Sequence, residues 1–298
     1  MILTTTLTTD YQEEDKVVRE GVRKAVISSL MCMGLFLACS TREIIQVAGS
    51  TTVLPVVSRA ADQFMLEHSG VRITVNAGGS GVGINQLGEG TLDIGMSSRD
   101  ITEAEIRRYP GVDFKTHSIG RDAVAPVVSS EVYEAGVRAL GLEQIAAVYR
   151  GEIGNWKELG GPDRDILVVD KEPSRGTRHV FMKAVMGDKE APAPGADLVL
   201  GSNNEEQTAI AQSDAAIGML SLAWLNSDVK GLAIILADGS TVKPTLANIL
   251  NGRFPITRAL YVITNGEPRG QVKAFVDFLM SNKGQQIVRE SGYVGMDG

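Results

Sequence analysis

Residues 72–83 read R-I-T-V-N-A-G-G-S-G-V-G, a β-prone run that breaks into glycines and a serine ahead of a short helical stretch to Leu87. The same order of strand, small polar turn and helix recurs three more times. I-I-Q-V-A (44–48) runs into G-S-T-T (49–52), then into helical apolar spacing over 53–67, with Pro55 in the first turn. L-D-I-G-M (92–96) runs into S-S-R-D (97–100) and a helix from about Thr102. D-I-L-V-V-D (165–170) feeds K-E-P-S-R-G-T (171–177) and a helix predicted over 178–186. Alternation of this kind predicts an α/β fold. Further strands are expected at 123–128, 215–220, 232–236 and 259–264, with a short helix over 142–149 and a terminal helix over 271–289. P-A-P-G (192–195) reads as a surface loop.

A turn that opens a helix exposes free backbone N–H groups and the positive end of the helix dipole, so it can hold an anion. Glycine lets the backbone approach closely, and Ser or Thr hydroxyls add donors. Ordinary N-caps want the same residues, and for any single turn that reading stands beside the first. Four such turns after strands point instead to one shared site at the strands' C-terminal ends. Arg99 and Arg175 each sit inside a polar turn, where a guanidinium complements an anion.

Competing motifs fail on particular residues. A G-x-S-x-G elbow at Ser80 ends on Val82, and both a phosphate loop from Gly78 and a dinucleotide fingerprint from Gly79 meet Ile84. His68, His117 and His179 are isolated and read as surface or cap residues, while Trp156 and Trp224 read as packing residues.

At 298 residues the chain is long enough for two units with separate cores. Its hydrophobic fraction of 43% argues against disorder, and a net charge of −7 without a basic block argues against nucleic acid. Two cysteines and three scattered histidines leave no disulfide framework and no metal cluster, so neither metal nor cofactor is expected. Near the N-terminus, Arg19, Arg23 and Lys24 precede an apolar run over 25–38. Fourteen helical residues span about 21 Å, short of a bilayer's roughly 30 Å core. Residues 1–38 therefore read as an export signal, ending F-L-A before Cys39, as in a bacterial lipobox where the cysteine becomes a lipid anchor.

The turns, in this order, resemble those of the phosphate-binding proteins of bacterial and archaeal ABC transporters, the PstS-like substrate-binding proteins with a type 2 periplasmic-binding fold. A-G-S-T-T-V-L-P, N-A-G-G-S-G-V-G-I, D-I-G-M-S-S-R-D and K-E-P-S-R-G-T-R are similar to the family's anion loops. G-E-I-G-N-W-K-E-L-G-G, G-R-F-P-I-T-R-A-L-Y and F-L-M-S-N-K-G-Q-Q-I-V-R-E-S-G-Y resemble further family segments. The resemblance covers nearly all of residues 44–298 and implies two lobes closing on a dehydrated oxyanion. Lobe one would be 39–124 plus 257–298 and lobe two 125–256, joined by two hinge crossings.

Carried over by position, the implied contacts are Thr51, Thr52, Ser80, Gly81 and Ser98 from the first lobe. The second lobe would give Ser174, Arg175, Gly176 and Thr177. The chain departs from well-known members in three places. Ser98 stands where a carboxylate accepts the phosphate proton, with Asp100 two residues on. Lys171 stands for Arg, and Arg175 for a small Ser, so Arg175 is expected to supply the buried cation.

The function implied is capture of inorganic phosphate and delivery to a membrane permease of an ABC transporter, by a monomeric, non-enzymatic protein. It would sit in the periplasm or at the cell surface, touching the membrane through its lipid anchor alone. The alternatives are a binder of sulfate or molybdate, a serine-dependent phosphatase or esterase built on Ser80, and a sensory or adhesive module on the same fold.

Overall fold

A parallel β-strand buried on both faces needs a helix to return the chain, and the first eighty described residues repeat that unit. The computed structural model describes residues 43–296. β1 (Glu43–Gly49), α1 (Leu54–Glu67), β2 (Val71–Ala77), α2 (Ser80–Gly88), β3 (Ile94–Ser97) and α3 (Glu103–Arg108) come first. β4 (Phe114–Ser129) follows and carries the chain into a second group of elements. These are α4 (Ser130–Glu134), β5 (Ala139–Gly141), α5 (Leu142–Tyr149), β6 (Leu167–Lys171), α6 (Gly176–Met186) and β7 (Leu198–Leu200). Next come α7 (Asn203–Ala211), β8 (Ala216–Ser221), β9 (Val229–Gly231), β10 (Ala233–Ile235), β11 (Thr241–Val242) and α8 (Leu246–Leu250). β12 (Thr257–Asn265), α9 (Gly270–Met280) and α10 (Asn282–Glu290) return to the first group.

The large sheet runs β2-β1-β3-β12-β4-β8-β6-β7, with β9 also paired to β4. β1 pairs in parallel with β2 and β3, and β6 in parallel with β7 and β8. β12 and β4 are antiparallel, with Arg258 directly opposite Asp122. β4 is the long strand: its first part pairs with β12 and its residues 124–128 pair with β8.

Two large apolar cores lie on either side of this crossing. One takes Ile45 through Ile119 together with Leu260 through Tyr293. The other takes Ala123 through Ile256, with Val294 added. α1 shows why: Val56, Val57, Ala60, Ala61 and Phe64 fall at i, i+3 and i+4 spacing and are buried. Phe64 meets Phe275 and Phe278 edge-on, at 5.3 and 5.6 Å between ring centroids. His68 caps α1 and stacks on Phe64, and Trp156 is fully buried with its indole N–H donating to the Ala215 carbonyl at 2.8 Å.

Expected and observed bounds differ by a residue or two at several elements, and three differences bear on the architecture. α6 begins at Gly176, two residues early, which brings Gly176 and Thr177 into its first turn. The strand expected at 123–128 is the end of the sixteen-residue β4. The expected terminal helix is two helices broken at Ser281, whose hydroxyl caps α10 by accepting from Gly284 N. The export signal and Cys39 lie outside the described residues. Among the described residues no helix is long and apolar enough to cross a membrane, and no acidic, His or Cys cluster could hold a metal ion.

Candidate functional site

β1–β3 run one way and β6–β7 the other, with three antiparallel pairings between them, so the turns at the C-terminal ends of the two sets face each other. A small polar cavity lies where the turns after β1, β2, β3, β6 and β7 meet. Its walls are Ser50, Thr51 and Thr52 before α1, Gly79 and Ser80 at the start of α2, and Ser98 after β3. Lys171 at the end of β6, Arg175, Gly176 and Thr177 at the start of α6, and Gly201 and Asn203 at the start of α7 complete it. Each helix start adds free N–H groups and a positive dipole end, worth about 0.3–1 kcal/mol each towards an anion when exposed and more when buried. The wall hydroxyls of Ser50, Thr52, Ser80, Ser98 and Thr177 belong to buried residues.

Beneath the hydroxyls lies Arg258 of β12. Its Nη1 donates to Thr177 Oγ1 at 3.0 Å and Ser98 Oγ at 3.3 Å, and its Nη2 donates to Thr52 Oγ1 at 3.2 Å. Asn203 Nδ2 donates to the same Thr52 oxygen at 3.0 Å, and Ser50 Oγ donates to Ser98 Oγ at 2.9 Å. A hydroxyl whose lone pairs are taken by such donors turns its own proton outward. Thr52 and Ser98 each accept two such bonds and are therefore aimed as donors; Thr177 accepts one, from Arg258, and lies 3.5 Å from Thr52 Oγ1.

Arg258 is fixed by Asp122, which accepts from Nε at 2.9 Å and Nη2 at 2.7 Å and takes a third bond from Ser221 Oγ. Both side chains are almost wholly buried, at 2% and 1% exposure. Burial pushes the Asp122 carboxyl above its ordinary range, against the pull of Arg258. A buried pair of this kind is weak evidence for stability; its bonds fix where the guanidinium points. Lys171 is similarly buried against Glu206, and its Nζ reaches the Ser202 carbonyl at 3.4 Å.

Of the residues singled out from sequence, Thr51, Thr52, Ser80, Ser98, Arg175, Gly176 and Thr177 are brought together in this cavity. Gly81, Ser174 and Arg99 are not among its walls. Gly81 N donates to the Ser174 carbonyl at 3.1 Å, which ties the two sequence groups together beside the cavity. The Arg99 guanidinium points the other way, onto both oxygens of Glu105 at 2.7 and 2.9 Å. Glu105 also closes the capping box of α3 with Thr102; burial opposes its charge, but these contacts hold its carboxyl below the usual range.

Arg175 is not the buried cation expected of it. It lies at the cavity's edge, with Nε donating to Glu172 at 2.8 Å and Nη2 also on Glu172. Arg258 takes the deep position. The sequence contained two signals for what was missed: Ser202 and Glu205 form an S-x-x-E capping box that announces α7 and Asn203. Arg258 itself stands within the G-R-F-P-I-T-R segment. Asp100 accepts from the Tyr261 hydroxyl at 3.0 Å and is not a cavity wall.

His179 sits in the first turn of α6, facing Arg99. Burial, with Arg99 adding to it, lowers its pKa to about 4. The folded chain therefore keeps this ring neutral while an unfolded chain protonates it near the ordinary 6.5. The contribution is complete above pH 6.5 and is lost as pH falls towards 4. His179→Gln is expected to flatten the loss of stability between pH 7 and 5, read from urea unfolding midpoints. Equal slopes in the two proteins would exclude this ring as the cause.

The PBP superfamily domain matches residues 38–283. The phosphate-binding protein PstS of Bacillus subtilis is 36% identical over 250 residues, covering 83% of this chain and 79% of that protein. A crystal structure from Clostridium perfringens, described as a phosphate ABC transporter substrate-binding protein with bound phosphate, superposes with a TM-score of 0.76. It is 31% identical and covers 85% of this chain and 100% of that one. An ABC-type phosphate transport receptor from Vibrio cholerae gives a TM-score of 0.67 at 31% identity, covering 84% of this chain and 99% of the other. On a domain match across most of its length and relatives of this similarity, the chain belongs to the PBP superfamily and, within it, to the PstS-type phosphate-binding proteins.

Proposed function

We propose that this chain captures inorganic phosphate between two lobes, 39–124 plus 257–298 and 125–256, and delivers it to the permease of an ABC transporter. The observation that carries the reading is the cavity of hydroxyls and helix starts set over the buried Arg258. Local dipoles and one aimed guanidinium, not net charge, let an acidic chain hold an anion. The walls come from both sequence groups, and β4 and β12 are the two crossings between them, so opening about those strands admits and releases the ligand. Thr51, Thr52, Ser80, Ser98, Gly176 and Thr177 are the proposed contacts, with Asn203 and Arg258 aiming them. In this reading the protein works outside the cytoplasm as a monomer, held at the membrane by a lipid on Cys39.

Binding rather than hydrolysis is supported by the partners of Ser80. Its Oγ accepts from Ser98 N at 3.1 Å and contacts Ser98 Oγ at 3.4 Å, and neither group can act as a general base. Calorimetry with phosphate, sulfate and molybdate at two pH values tests the assignment. Phosphate is expected to bind about tenfold or more tightly than the others, a gap of roughly 1.4 kcal/mol. A preference for sulfate would overturn it, and turnover of a phosphate ester lost in Ser80→Ala would replace it by the enzyme.

A further inference from the structure

Most of the cavity walls are buried; Thr51, Arg175 and Gly201 are partly exposed and mark where it meets solvent. The Arg175 arm bridges this mouth. On one side it lies against Gly201 of its own group, where an added Cβ would sit 2.9 Å from Nη2. On the other it covers Gly79, where an added Cβ would sit 2.9 Å from Cδ and 3.0 Å from Nη1. Gly79 has φ +94°, open to glycine at little cost, so backbone and arm can meet this closely. The guanidinium is held flat by Glu172, which takes up Nε and Nη2. At 17% side-chain exposure, with Nη1 against Gly79 and Nη2 against Gly201, the arm fills the opening between the two glycines.

We propose that Arg175 is a gate across the mouth and not an anion ligand: its arm, tethered to Glu172, must leave Gly79 before bound phosphate can escape. This rests on the phosphate reading above. A gate slows entry and exit together, whereas a ligand changes affinity. The arm spans the two sequence groups, so it also joins them when closed.

The test is a chase of labelled phosphate from the loaded full chain, with association measured separately by stopped flow. Arg175→Ala is expected to speed release about tenfold, with association rising in step and affinity within about threefold. Gly201→Ala pushes the arm aside while keeping its charge, and is expected to speed release similarly. Gly201 is not at positive φ, and an added Cβ would meet only side-chain ends, Arg175 Nη2 at 2.9 Å and Glu205 Oε2 at 3.2 Å, so alanine is accommodated by movement of those ends. Release within twofold of the parent in both variants overturns the gate. So does a large affinity loss in Arg175→Ala with association unchanged, which would make Arg175 a ligand. Acceleration in Arg175→Ala alone assigns the effect to charge and overturns it too. Failure of the parent chain itself to hold phosphate removes both the function and the gate, and is seen before any variant is made.

Discussion

Gly176→Ala is expected to lower phosphate affinity by about a hundredfold or more while leaving the folded chain about as stable as before. Gly176 opens α6, and an added Cβ would collide with Ser80 Oγ and lie 2.6 Å from Ser98 Oγ. Those two oxygens belong to the opposite sequence group and are buried, so neither has an easy way to give. The methyl group therefore wedges the cavity open and separates the donors it gathers. A loss of this size is roughly 2.7 kcal/mol. Stability should not follow it, because Gly176 is not among the glycines at positive φ and alanine favours a helix by up to about 1 kcal/mol. Calorimetry beside urea unfolding separates the two effects. Affinity within tenfold of the parent would mean that the bound form does not bring α6 onto Ser80 and Ser98. An equal fall in stability would mean that the wedge acts on the fold and not on closure.

The turns were legible because a helix start has demands that a single sequence displays. Gly, Ser and Thr stand where N–H groups must be free or capped, and G-S-T-T, G-G-S-G, S-S-R-D and S-R-G-T each reached the same cavity edge or its border. Side-chain direction was not legible in the same way. Arg99 and Arg175 looked equivalent as cations in polar turns, yet each is drawn aside by a local carboxylate, Glu105 and Glu172. The residue that takes their place, Arg258, lies in a strand, and its meaning depends on facing Asp122, 136 positions away. Strand register between such distant segments is a property of the packed sheet, not of either segment. α7 was missed for another reason. Of its residues only Asn203, Glu206 and Ile210 are buried, so its apolar stripe is faint, and the Ser202–Glu205 capping box carries the helix start.

Arg258 and Asp122 offer a second large effect, and a way of separating stability from binding. Arg258→Gln leaves Asp122 buried without its cation, which costs about 3–5 kcal/mol in comparable buried pairs. It also removes the donor to Thr52, Ser98 and Thr177, so phosphate affinity should fall by about a hundredfold or more. Asp122→Asn should be destabilising in its turn, because Arg258 then keeps a buried charge without a counterion. Replacing both, as Asp122→Asn with Arg258→Gln, removes both uncompensated charges. Replacing a buried ion pair by neutral groups of similar volume is often close to neutral for stability, so the double variant should unfold nearer the parent than either single variant does. Binding should not return with stability, since no amide supplies the charge that the hydroxyls stand on. Urea unfolding and calorimetry on the two single variants and the double variant form a complete cycle. Recovery of phosphate affinity in the double variant would show that the cavity works through its helix starts alone. Recovery of stability without affinity would assign to Arg258 the charge that holds the anion.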